Sequence, residues 1–260
     1  MSKKILNTVL DKRALKHQLW YVYNRKTASM LKDLLNYVLH PLFPVKCVGC
    51  GKEYAYLCYE CANKIELIRT DTCPKCGKIS PNSRLCKTCQ SSRKFHFNAV
   101  FVGSRYDSGP IKEMLYLFKY EGITALCEVL SEVAAQRVKN RINPDVVVVP
   151  VPISGSRFKK RGYNQSEFLA RQISKTLKLS GGNALIRVRD TKSQVGLSKE
   201  ERAENVKDSF ECVDKRLVKG QEVLLIDDVA TTFATLNECA KVLKGAGAKS
   251  VTGLVVAKRS

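Results

Sequence analysis

Eight cysteines fall into four pairs of one spacing: Cys47/Cys50, Cys58/Cys61, Cys73/Cys76 and Cys86/Cys89. A Cys-x-x-Cys turn aims two thiolates at one point while its amides relax the sulfur charge, as tetrahedral Zn²⁺ requires. Two pairs close one four-thiolate shell, so four pairs supply two sites and leave no ligand unused. With sulfur in every position no place stays open for water, and such metals are structural. Gly51 and Gly77 follow Cys50 and Cys76, where a knuckle needs a residue comfortable at positive φ. Sequential closure (Cys47, Cys50, Cys58, Cys61, then Cys73, Cys76, Cys86, Cys89) makes short loops and costs least closure entropy. Interleaved closure stays open. A four-thiolate iron–sulfur cluster is the competing reading, and a disulfide framework would need an exported chain. Cys127, Cys212 and Cys239 lie in apolar segments and read as small core residues outside any metal site.

The second constellation runs from Val223 to Thr235: four apolar residues, then Asp227-Asp228-Val-Ala-Thr231-Thr232-Phe233-Ala234-Thr235. An apolar strand delivers two carboxylates to its carboxyl end, where open α/β sheets bind ligands. The next turn offers successive N–H groups, three hydroxyls and a helix amino terminus, a combination that cradles a phosphate. Two acids beside such a turn suit a ribose 5-phosphate, the carboxylates accepting from the 2- and 3-hydroxyls. A solvated turn after a strand would not need the Thr-rich run.

These groups need a frame. Residues 1–40 carry apolar residues at helical spacing (Leu31, Leu34, Leu35, Val38), and Pro41 and Pro44 stop that segment. The metal unit spans 41–92, with polar Ser91–Lys94 as the linker. Within 93–260 strands and helices alternate, which argues for a mainly parallel sheet covered on both faces. The expected order is a strand at 98–103, a helix at 110–120, a helix near 125–139, and a buried strand at 145–149 ending in Pro150-Val151-Pro152. A loop with Gly155, Arg157 and Arg161-Gly162 then leads to a helix at 165–177. A strand at 222–226, ended by the acid pair, a helix through about Lys244 and a last strand at 250–257 complete it.

From Leu34 to Arg259 the chain resembles the ComF family, phosphoribosyltransferase-like proteins associated with bacterial competence for DNA uptake. The residues that carry this are Leu42-Phe43-Pro44 before the double zinc ribbon, Lys119-Tyr120-Glu121-Gly122, Pro150-Val151-Pro152 and Arg161-Gly162-Tyr163-Asn164-Gln165. Arg189, Thr191, Gln194, Leu197, Arg202, Asn205 and Phe210 form a further block, and the Asp-Asp-x-x-Thr-Thr turn completes the set. The resemblance implies an α/β protein of the type I phosphoribosyltransferase fold with an N-terminal double zinc ribbon. It implies that Asp227 and Asp228 meet the ribose hydroxyls, and that Thr231, Thr232, Phe233, Ala234 and Thr235 hold the 5-phosphate. Arg157 and Arg161 would take the diphosphate with Mg²⁺, two cations on a glycine-bearing loop neutralising the charge of a leaving group. Asp227, Asp228 and Arg161 are the catalytic candidates. One position departs from the family, which has Gly where this chain has Phe233. If the position requires positive φ, an aromatic residue there is strained by on the order of 1 kcal/mol or more. Otherwise Phe233 points away and the loop works unchanged.

Charge narrows the function. Against 24 Asp+Glu stand 45 Lys+Arg, a formal +21, and the first 95 residues contribute +12 of it. Such a surplus attracts polyanions, nucleic acid above all. No apolar run approaches the ~20 residues a bilayer span needs, and the amino terminus lacks a signal-peptide core, so the chain reads as cytoplasmic. Tyr54, Tyr56, Tyr59, Phe95 and Phe97 stand among basic residues such as Arg93 and Lys94, where they could stack on bases or fill a small core. Three functions compete. The ribbon and basic front bind single-stranded DNA during uptake, with a competence helicase or other uptake machinery as partners implied by the resemblance. Alternatively the chain is a working phosphoribosyltransferase that moves ribose 5-phosphate from phosphoribosyl diphosphate to an acceptor that no residue here identifies; or it senses that ligand without turnover. Salt-dependent retention on single strands, diphosphate release, or ligand-dependent DNA affinity would tell them apart.

Overall fold

A computed structural model describes residues 45–53, 55–91, 95–190 and 198–259. The helical segment expected over 1–40, together with Leu42–Pro44, Tyr54, Arg93, Lys94, Thr191, Gln194 and Leu197, lies outside the described residues, as does the side chain of Arg202.

The amino-terminal part is two copies of one small device. Short antiparallel bridges, Lys46 to Glu53 and Thr72 to Ile79, hold each first cysteine pair in a hairpin. Each second pair starts a one-turn helix, α1 (Tyr59–Ala62) behind Cys58 and α2 (Lys87–Gln90) behind Cys86. Helices this short cannot stand alone; the cysteines hold them. The ribbon also serves the body. Leu67 pairs with Ser104 and Arg84 with Ala99, so ribbon backbone covers β1 (Ala99–Arg105), which would otherwise be an open sheet edge.

From β1 the chain winds through α3 (Ile111–Tyr120), α4 (Leu126–Ala135), β2 (Val147–Pro150), α5 (Gly155–Arg161) and α6 (Gln165–Leu177). An antiparallel hairpin follows, β3 (Leu185–Arg187) with β4 (Phe210–Cys212), enclosing α7 (Lys199–Val206). After α8 (Lys215–Val218) come β5 (Glu222–Ala230), α9 (Ala234–Gly245) and β6 (Ser250–Lys258). The main sheet has the order β1-β6-β5-β2, with every neighbour parallel.

Strand alternation divides the core in two. Val148, Leu224, Ile226, Leu254 and Val256 face α3, α4 and α6, where Phe118, Leu130, Leu169 and Ile173 are fully buried. Val147, Val149, Val223, Leu225, Val251 and Val255 face α9 and the hairpin, against Leu236, Cys239, Leu243, Leu185 and Phe210. Each buried Leu or Phe contributes roughly 1.5–3 kcal/mol. Truncating Leu224 to Ala would cost about 2–5 kcal/mol, because it leaves a void at the sheet centre. Gly103 is obligatory where β1 passes α4: a Cβ there would lie 2.7 Å from the Val256 carbonyl oxygen and 2.8 Å from that of Val133. Cys127 and Cys239 are buried core residues and Cys212 is half-buried.

Two expectations need correction. Residues 155–161 form a helix, not a loop: Ser154 enters in extended conformation and Gly162, at φ 80°, ends it. The strand bearing the acid pair does not stop there but runs on to Ala230, because β6 keeps pairing with it (Asp227 with Val255, Ala230 with Lys258). Its other neighbour, β2, ends at Pro150 opposite Ile226. One side of β5 is therefore unpaired by β2 from Asp227 onward, where the acid pair lies. Among the described residues no helix is long and apolar enough to cross a membrane.

Candidate functional site

The metal sites follow from knuckle geometry. Cys47, Cys50, Cys58 and Cys61 form one cluster and Cys73, Cys76, Cys86 and Cys89 the other, with the four sulfurs of each within 4.8 Å of one another. Closure is sequential. The Cys50 and Cys58 sulfurs are 3.6 Å apart and those of Cys76 and Cys86 3.7 Å, near the ~3.8 Å edge of a tetrahedron with Zn–S bonds of about 2.3 Å. Gly49 and Cys58 donate backbone N–H bonds to the Cys47 sulfur, at 3.4 and 3.2 Å. Gly51 and Gly77 both sit at φ 75°, each folding its amide back onto the carbonyl of the first cysteine. The four-thiolate donor set and the size of each cluster fit two structural zinc ions.

The acid pair lies where β5 loses its β2 neighbour. Asp228 is buried, and its Oδ1 is 3.0 Å from the Nζ of Lys119 at the end of α3. Asp227 accepts from the Ser166 hydroxyl at 2.9 Å, and Asn164 caps α6 by accepting from the Ser166 amide at 3.1 Å. Burial pushes the Asp227 carboxyl up to about 7, the charge of Asp228 adding to it, against Lys119 and the two donors on Asp227. Lys119 and Ser166 are thus part of the site, although periodicity marks them only as helix residues. Lys119 had one signal, its place in the Lys119–Gly122 motif.

The turn behind the pair presents Thr231, Thr232, Ala234 and Thr235, all half-buried, at the start of α9. Phe233 joins the two alternatives left open above. Its backbone is left-handed, φ 61° and ψ 14°, so the position does require positive φ. Its side chain also points away, only 5% exposed, against Phe97 and beneath the Lys258 ammonium. The N–H stays in the turn.

Of the two arginines on α5, Arg157 lies near enough to Arg187 of β3 to push its guanidinium pKa down, after burial, the main cause; Asp227 acts on the same group with opposite sign. Asp190, beside the hydroxyls of Ser154 and Ser156, is held below the usual carboxylate range. Arg161 is engaged elsewhere: Nη1 donates to Gln165 Oε1 at 3.0 Å, and the guanidinium lies 5.0 Å from the Tyr120 ring centroid. Among the aromatics named as base-stacking candidates, Phe97 is core at 2% exposure, Phe95 and Tyr56 pack against the core, and Tyr59 is exposed.

Residues 38–90 match the family described as double zinc ribbon domain, and residues 120–260 that of the phosphoribosyl transferase domain. Competence protein F of Haemophilus influenzae is 26% identical over 219 residues, 76% of this chain and 95% of the relative. Competence protein ComFC of Bacillus subtilis is 27% identical, covering 72% and 77%. The DNA utilization protein YhgH of Salmonella typhimurium is 30% identical, covering 75% and 87%. Among solved structures, the allosteric regulatory enzyme of purine biosynthesis aligns with 50% of this chain and 26% of its own, at 19% identity and a TM-score of 0.36. With both domains matched in order and the relatives covered over 77–95% of their lengths, the chain belongs to the ComF family of competence proteins, a double zinc ribbon joined to a phosphoribosyltransferase-fold domain.

Proposed function

We propose that this protein binds single-stranded DNA in the cytoplasm during DNA uptake, and that its α/β domain holds phosphoribosyl diphosphate as a ligand. The observation that supports the ligand best is the gap beside β5, where Asp227 and Asp228 stand ready to accept from ribose hydroxyls. The amides from Thr231 to Thr235 would take the 5-phosphate at the start of α9. Arg157, with Arg187 beside it, would face the diphosphate. Magnesium suits hard oxygen donors; Asp227 and Asp228 are the carboxylates that would hold it, with the ligand's own phosphates. Phe233 is compatible with this role, because the turn keeps its N–H while the ring lies in the core.

For the DNA part, support comes from the +21 charge and from relatives named for competence and DNA utilization. Retention of a labelled oligonucleotide should weaken steeply with salt, as counterion release demands. Titration calorimetry with phosphoribosyl diphosphate and Mg²⁺ tests the ligand; no heat at any concentration up to millimolar would remove that half of the proposal.

The second reading is a working transferase. In that case diphosphate leaves through an oxocarbenium-like transition state, with charge stabilisation by the arginines and positioning by the acid pair. Release of diphosphate with any acceptor would establish it.

A further inference from the structure

The exposed faces of α3 and α5 carry a row of rings and cations that neither the sheet nor the ligand site uses. Tyr116 and Tyr120, one helical turn apart, are 47% and 53% exposed, and their ring centroids lie 5.2 Å apart. The Arg161 guanidinium extends the row over Tyr120, pinned from behind by Gln165, itself 1% exposed. One turn back along α5 stands Phe158, 50% exposed. Residues three and four apart on a helix are surface neighbours, so Phe158 continues the row past Arg161.

The helix that carries half of this row is unusual in composition. Of its seven residues Arg157, Lys159, Lys160 and Arg161 are basic, none is acidic and none is buried. Lys112 stands one turn before Tyr116 on the same stripe of α3, with Glu113 as that end's acid. Rings that stack, cations between them and a surplus of positive charge together match a flexible polyanion whose bases present flat faces.

We propose that Tyr116, Tyr120, Arg161 and Phe158 form a stacking platform for single-stranded DNA, with Lys159 and Lys160 holding its phosphates. This rests on the DNA-binding reading above and moves the base contacts from the ribbon and the segment after it, where Phe97 is buried, to the helical face of the α/β domain. The platform borders the ligand site, because Lys119 lies between Tyr116 and Tyr120 in sequence and pairs with Asp228.

The test uses the full chain and a fluorescein-labelled twenty-residue oligo-dT, titrated by anisotropy from 50 to 200 mM salt. Replacing Tyr116 and Tyr120 together by Ala should weaken binding by at least about 30-fold, since two base stacks are lost at ~1–3 kcal/mol each. The salt slope should not change, because rings release no counterions. Tyr116→Phe with Tyr120→Phe should bind like the natural protein, and an abasic strand should not distinguish any of these. Lys159→Ala with Lys160→Ala should instead flatten the slope by about 1.4, two phosphate contacts at ~0.7 each. If the natural protein binds oligo-dT and the alanine pair binds equally well, the platform is wrong while the DNA reading survives, and the aromatic face belongs to a protein partner. If the natural protein does not bind, both fall.

Discussion

The ring of Phe233 meets that of Phe97 edge-on, with centroids 6.4 Å apart and planes at 74°. This contact explains how a bulky residue occupies a left-handed position favoured by glycine. The backbone at φ 61° costs on the order of 1 kcal/mol. Burying the ring returns roughly 1.5–3 kcal/mol, so the core more than offsets the strain.

Phe233→Gly should therefore destabilise the protein by about 2–4 kcal/mol, the ~3–5 kcal/mol of a lost core ring less the relieved strain. Urea unfolding measures it. Affinity for phosphoribosyl diphosphate should change by no more than a few-fold, because both proteins present the same amide. Binding by the glycine variant alone would mark the natural site as retired.

Asp227 should make binding of the proposed ligand depend on pH. Its carboxyl is raised to about 7, so acceptance from ribose hydroxyls should strengthen between pH 6 and 8 as it ionises. Lys119→Met removes a charge that lowers this pKa and should move the midpoint upward; calorimetry across the range would detect it.

The same shift has a cost in stability. An acid whose folded pKa lies above its unfolded value binds more protons in the folded state. The contribution of Asp227 to stability is then fullest below about pH 4 and is lost as pH rises through about 7. Asp227→Asn should raise the melting temperature at pH 8 by a few degrees and hardly change it at pH 4, while abolishing ligand binding. An equal gain at both pH values would contradict this.

Zinc should be measured at two ions per chain. Cys61→Ser should leave one, with the second cluster intact, because closure is sequential and the shells share no ligand. Loss of both ions from that single change would point to interdependent sites.

Asp71 joins ribbon and α/β domain. It accepts from Arg137 Nη2 at 2.7 Å, from Arg141, and from the Ser83 hydroxyl at 3.1 Å. Burial raises its pKa, but Arg141 and Arg137 outweigh this and hold it below the usual carboxylate range. Asp71→Ala strands the buried Arg137 and should cost about 3–5 kcal/mol, read by thermal unfolding. The loss should narrow at strongly acid pH, where the natural carboxyl is protonated too.

Much of this was legible along the chain. The paired cysteines, the glycines after them, and alternating apolar strands and helices are local patterns, and one sequence contains all the physics that sets them. The helix at Gln165–Leu177 and the Asp-Asp-Thr-Thr turn belong to the same class. The family resemblance rests on such motifs.

Other features depend on what packs against what, which spacing does not encode. Only the fold brings Lys119 to Asp228 and Ser166 to Asp227, across 109 and 61 residues. Where β2 stops decides that the acid pair faces a gap. Sequence narrowed Phe233 to strain or withdrawal, and packing allowed both, since φ belongs to the turn while the ring belongs to the core. The aromatic row was invisible for the same reason: Tyr116, Tyr120 and Phe158 lie on two helices, and only packing decides which of their faces stay exposed.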